Sequence, residues 1–170
     1  MASVVLTPAG GAPGPEGPCQ EPPVWGDPAK ETGSWMRPAE KPPNLDDYVI
    51  KLNQMHTFYD VPGEYGHALE GHEHGFNSLS FIVTETHPGG GPPLHTHDTE
   101  EAHVLLGGSA GYVIGDKTFR AEGPYIARVP AGTPHTFINA GGRVMRLVAV
   151  FPDKKISYHE VGANPLVKKK

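Results

Sequence analysis

The sequence predicts an all-β sandwich or barrel behind an irregular N-terminal arm, and three observations carry that expectation. From Leu45 onward, short runs rich in β-branched and aromatic residues recur at regular spacing between turn residues. No 3.6-residue periodicity is sustained anywhere in the chain. Gly and Pro supply 22 and 19 of the 170 residues, which opposes long helices, because Pro lacks an amide donor and Gly costs backbone entropy.

Residues 1–43 hold ten Pro and six Gly around isolated apolar residues (Val24, Trp25, Trp35, Met36), and read as a largely irregular arm. Two Trp in such a segment imply that part of residues 24–38 packs on the folded domain or on a partner. The barrel domain is expected over 44–162, with a Lys-rich tail over 163–170. Strands are expected at 48–52, 58–60, 79–86, 102–106, 112–114, 117–121, 125–129, 135–139 and 145–151. Gly115-Asp116 reads as a tight hairpin turn. Only 44–47 and 64–70 offer a helical turn.

The net charge of −5 argues against a non-specific nucleic-acid binder, which needs a basic face. The closing Lys168-Lys169-Lys170 is too short to reverse that. A single cysteine, Cys19, rules out an intrachain disulfide. There is no stretch of about 20 apolar residues and no secretory leader pattern, so the expected location is the cytoplasm, with no membrane partner.

The chemistry lies in the histidines. His95-Thr96-His97 on a strand would project both imidazoles to one face. Glu101 can join them if the chain turns at Asp98-Thr99, and His135 follows the turn Pro130-Ala131-Gly132-Thr133-Pro134. Three imidazoles and a carboxylate suit one divalent transition ion, Fe, Mn, Ni, Co, Cu or Zn, better than Ca²⁺ or Mg²⁺. Glu100, alternating with Glu101, should face outward. His103 should enter the same cavity, either as a general acid/base or as a core histidine satisfied by a carbonyl or by a bond to a ligand. Phe137, Leu105 and Val83 would wall the cavity. Tyr125, Tyr112 and Asn139 are further lining candidates, although Asn139 suits a turn tie better than substrate binding. His67, His72 and His74 lie in a Gly-flanked stretch that reads as a loop over the barrel mouth, or alternatively as a second metal site. Gly89-Gly90-Gly91 lacks the Lys-Ser/Thr of a phosphate loop.

The stretch Gly89-(x5)-His95-x-His97-(x3)-Glu101-(x6)-Gly108 resembles the first cupin motif. Gly123-(x6)-Pro130-x-Gly132-(x2)-His135-(x3)-Asn139 resembles the second, with its first spacer one residue longer than usual. The resemblance, extended by the strand pattern to about 45–160, implies an antiparallel jelly-roll barrel, a double-stranded β-helix, with a metal held by His95, His97, Glu101 and His135. Residues 77–97 resemble the quercetin-dioxygenase-like branch of single-domain cupins. The implied function is a metal-dependent dioxygenase, iron being one candidate metal, acting on a small enolic, phenolic or other oxygen-chelating substrate. Glu101 is the expected catalytic base, and His103, where most cupins carry an aromatic or aliphatic residue, joins it as a catalytic candidate by its place on the strand. A redox-neutral isomerase, lyase or decarboxylase and a non-catalytic ligand-binding or sensor barrel are the alternatives. A homodimer, through sheet packing or exchange of the arm, is also expected.

Overall fold

The computed structural model describes residues 23–168; Cys19, Lys169 and Lys170 lie outside it. Twelve strands form two antiparallel sheets. In chain order they are β1 (Trp35–Arg37), β2 (His56–Asp60), β3 (Glu64–Leu69), β4 (Ser80–Thr86), β5 (Leu94–Thr96), β6 (Glu101–Leu105), β7 (Ser109–Ile114), β8 (Lys117–Glu122), β9 (Tyr125–Val129), β10 (His135–Asn139), β11 (Met145–Phe151) and β12 (His159–Gly162). The larger sheet runs β1-β2-β3-β4-β11-β6-β9 and the smaller β12-β5-β10-β7-β8. This is the jelly-roll architecture, in which two packed sheets hide each other's apolar faces. No helix among the described residues is long and apolar enough to cross a membrane.

The alternation of side chains decides which face each strand buries. Along β11, Met145, Leu147, Ala149 and Phe151 are buried, while Arg146, Val148 and Val150 face out. These inward residues join Leu105, Ala110, Tyr112 and Phe137 in one core. Each large apolar side chain there contributes about 1.5–3 kcal/mol of transfer free energy. Opposite Leu147 stands Leu105, but opposite His103 stands Ala149. That change from a large to a small partner is where the solid core gives way to a cavity.

The strands at Tyr125–Val129, His135–Asn139 and Met145–Phe151 occupy the expected ranges. Others depart from expectation. No strand forms over 48–52, where Tyr48 and Val49 are exposed. That stretch follows a turn at 44–47, tied by Asn44 Nδ2 donating to Asp47 Oδ1 at 3.0 Å, and it has no neighbouring strand to pair with. Residues 64–70 make no helical turn; Glu64–Leu69 is β3, paired on both edges, and those two ladders outweigh its local preference. The short β1, β5 and β12 carry too few residues for a recognisable run.

Part of the arm packs on the barrel. β1 pairs with β2, and Trp35 stacks near Tyr59 with ring centroids 6.2 Å apart. The Trp25 amide donates to Glu85 Oε1 at 2.5 Å, and Glu85, fully buried, also receives Arg146 Nη2 at 2.7 Å.

Candidate metal centre

The two sheets meet at a cavity of about 430 Å³, and four side chains converge on its wall. His95, His97 and His135 come from the β5 and β10 side, Glu101 from β6 across the barrel. One potential ligand atom from each lies within 4.8 Å of every other, and all four residues are buried.

Local sequence explains this convergence. His95 and His135 are direct cross-strand partners, so their side chains leave the sheet side by side. The turn before β10 bonds back to the first motif: Gly132, at φ 66°, donates its amide to the His97 carbonyl at 2.8 Å. Gly91 is packed so closely that a Cβ there would lie 1.9 Å from the Phe137 carbonyl oxygen. The Gly-rich entry is thus a close-packing device joining β10 to the strand that carries the histidines.

Each imidazole is oriented by its other nitrogen. Nδ1 of His95 donates to the Pro93 carbonyl at 2.7 Å, and Nδ1 of His135 to that of Thr133 at 2.8 Å. Nδ1 of His97 donates to the Ser157 carbonyl. With the protons committed there, all three Nε2 lone pairs face the centre, the tautomer a metal requires.

Electrostatics maintain that state. Burial lowers the His95 pKa to about 3, aided by repulsion from His135 and His97. Burial also lowers that of His97, against the pull of Glu101. Burial alone would raise the Glu101 carboxyl, but the adjacent, hydrogen-bonded His103 outweighs it, so its pKa falls well below the usual range. His103 Nε2 donates to Glu101 Oε1 at 2.8 Å, and His103 Nδ1 accepts from the Tyr112 hydroxyl at 3.3 Å. Tyr125 in turn donates its hydroxyl to Tyr112 at 3.0 Å.

Whether a cation fits can be judged from the unsatisfied atoms. Glu101 Oε2 and His135 Nε2 are 2.8 Å apart, yet neither is aligned for a hydrogen bond, and both are buried without any partner. Such atoms each cost about 1–3 kcal/mol, and a divalent ion between them would satisfy both. The four residues could therefore hold one transition ion.

Of the other residues singled out from sequence, Phe137 and His103 line the cavity and Glu100 is exposed. Leu105, fully buried in the solid core, and Tyr125, turned toward Tyr112, do not line the cavity as expected. Asn139 takes its turn-tying role, donating to the Thr86 and Arg143 carbonyls at 2.8 and 2.7 Å. Val83 belongs to the outer face, beside Val104 and Val148. The His67, His72 and His74 stretch forms neither lid nor second centre among the described residues: His67 packs edge-on to Trp25, His72 bonds the Lys154 carbonyl, and His74 is buried between the carbonyls of Glu70 and Gln54. Sequence reasoning missed Asp60, Glu64 and Tyr158, which also line the cavity. Tyr158 stacks on His95 at 4.7 Å. All three lie outside the motifs, so no spacing signal marks them.

Fold and site together define an all-β jelly roll with a candidate three-His, one-Glu metal centre. Residues 82–151 match the family model described as cupin domain, and all four candidate ligands fall within that match. The fold is similar to Bacillus subtilis oxalate decarboxylase OxdC, at 17% identity and TM-score 0.56 over 61% of this chain and 29% of that one. It is also similar to the formate complex of Lactobacillus farciminis oxalate decarboxylase, at 19% and 0.57 over 64% and 34% of the two chains. An oxalate oxidase aligns at 18% and 0.54 over 59% and 56%. The chain thus spans about a third of each decarboxylase and about half of the oxidase, and at these identities the likeness is one of fold. No curated protein sequence matches the chain.

Proposed function

We propose that the protein is a divalent-metal-dependent enzyme, a dioxygenase acting on a small enolic, phenolic or otherwise oxygen-chelating substrate. The observation that carries the reading is the convergence of four buried ligand atoms, two of them without partners, on the wall of a largely apolar cavity. A bound transition ion supplies Lewis acidity and, with four protein ligands, room for exogenous oxygen donors. The chain's own residues do the remaining work. His95, His97, His135 and Glu101 hold the ion. Phe137, Ile82 and Leu147 exclude water and seat the apolar body of the substrate. Glu101 accepts a proton from the substrate oxygen on Oε2, while His103 steadies Oε1.

The redox-neutral reading is favoured by one observation, the file of hydrogen bonds from Tyr125 through Tyr112 and His103 to Glu101. Such a file can return a proton to product carbon, as isomerisation or decarboxylation requires. Mn centres are named for Bacillus subtilis oxalate decarboxylase, which makes Mn²⁺ a reasonable first ion to load. Metal analysis of protein purified without added metal, followed by aerobic and anaerobic screening of diketones and polyphenols, tests the proposal. Turnover that requires dioxygen supports the dioxygenase; undiminished anaerobic turnover replaces it with the redox-neutral reading. An absence of bound metal at neutral pH defeats both.

A further inference from the structure

The cavity that holds the metal centre is strongly one-signed. Besides Glu101, its wall includes Asp60, Glu64, Glu70 and Glu160, and no Lys or Arg lines it. Glu70 is paired with His72 at 3.2 Å. Asp60, Glu64 and Glu160 form no ion pair among the described residues.

Asp60 and Glu64 are directly opposite one another on the β2–β3 hairpin. Like charges in that relation destabilise a sheet, so nothing in the packing asks for them there. Glu64 is only 2% exposed. Its Oε1 has one partner, the Thr86 hydroxyl at 3.5 Å, and its Oε2 has none among the described residues. The Glu64 carboxyl lines the cavity with that one weak contact. Burial and the neighbouring acids raise the Glu64 pKa well above normal and that of Asp60 to about 6, the mark of acids lacking a counter-charge. Phe58 and Tyr158 stand on the same wall and offer aromatic surface to a cation.

We propose that Asp60 and Glu64 are specificity-determining residues that select a small apolar or aromatic molecule bearing a protonated amine, and that this cavity turns away anions, dicarboxylates included. The proposal deepens the metal-enzyme reading: the oxygen donor of the substrate meets the metal end and its amine meets the acidic end. An ammonium group would supply the counter-charge that the Asp60–Glu64 pair lacks. A dicarboxylate would meet Asp60, Glu64 and Glu160 with no basic side chain on the wall to receive it.

The test uses the full-length chain and three probes with one aromatic body and different ends: tyramine, 4-ethylphenol and 4-hydroxyphenylacetate. Binding is measured by calorimetry, both with Mn²⁺ loaded and with the metal removed by chelator. Tyramine should bind about tenfold or more tightly than 4-hydroxyphenylacetate, the worth of roughly one charged contact. In the D60N/E64Q double variant that gap should shrink to about twofold. An acid probe binding as tightly as tyramine overturns the proposal, as does failure of all three to bind. So does a gap that survives in a double variant with a cooperative thermal transition. If the double variant does not fold, D60N alone carries the test, with an expected partial narrowing. Because the order of affinities is read with and without metal, loss of metal retention would sink the enzyme reading and leave this one measurable.

Discussion

His103 Nε2 stands 2.8 Å from Glu101 Oε1, so the carboxylate that faces the candidate metal position is steadied from behind by a buried imidazole. His103 comes two residues after Glu101 on β6, and the alternation of the strand sends both side chains to the same side. Replacing His103 by Phe keeps the ring volume and removes both polar contacts. Metal affinity should fall about 10–100-fold, the usual cost of losing a partner that orients a ligand. Competition against a chelating dye measures it. Unchanged affinity would show that Glu101 needs no support from His103.

The metal centre should be lost outright when a ligand goes. His97→Ala removes a donor held by the Ser157 carbonyl and next to Glu101. Metal content of the purified variant should fall to background while near-ultraviolet circular dichroism keeps its folded signature. A variant that retains stoichiometric metal would mean His97 is a packing residue.

Acid should destabilise the metal-free protein through His95. Its folded pKa of about 3 lies below the ordinary 6.5, so between those values the unfolded chain binds the extra proton and the folded chain does not. Stability therefore rises with pH across that window and is lost as pH falls from about 6.5 toward 3. Denaturant midpoints in chelator should decline along this range, and His95→Gln should flatten the decline. Parallel curves for the two proteins would contradict the assignment.

Asp60 works in the opposite sense. Burial first, then the Glu160 charge, raises its folded pKa from 3.8 to about 6, so the unfolded chain releases its proton before the folded one. Stability contributed by the protonated form is present below about 3.8 and is lost as pH rises through about 6. Asp60→Asn should raise the melting temperature at pH 7 by a few degrees, with the gain vanishing near pH 4. A variant less stable than its parent at pH 7 would mean Asp60 makes a contact worth more than its burial costs.

The motifs made the metal centre legible because its ligands sit at fixed offsets on or beside three strands, β5, β6 and β10, the last entered through a Gly-Pro turn. The alternation within β6 likewise revealed that His103 shares the face of Glu101. Neither signal reached Asp60 and Glu64, on the β2–β3 hairpin, or Tyr158, in the loop before β12, because all three lie outside the two motifs. Leu105 satisfies the same alternation that places His103, yet it stands deeper, where Leu147 instead of Ala149 fills the opposite position, and Tyr125 pairs with Leu105 at that depth. Alternation gives the face but not the depth. The His67, His72 and His74 cluster misled because proximity in sequence says nothing of the backbone carbonyls that hold all three rings.

Gly91 tests how closely the first motif is built onto the second. Its neighbours are locked to β10, with Gly89 donating to the Asn139 carbonyl at 2.8 Å and Asn139 donating to that of Gly90 at 2.9 Å. A methyl group at position 91 would meet the Phe137 carbonyl oxygen at 1.9 Å, backbone against backbone, where no rotamer can relieve it. Relief must come from moving the segment that leads to His95 away from His135, its cross-strand partner. Gly91→Ala should therefore cost about 2–3 kcal/mol of stability and weaken metal retention in the molecules that still fold. Gly142→Ala, where no atom lies within 4 Å of the added carbon, should do neither. Urea midpoints and metal content of the two variants decide it, and a Gly91→Ala protein with parental values for both would mean that the two motifs are joined less tightly than this contact requires.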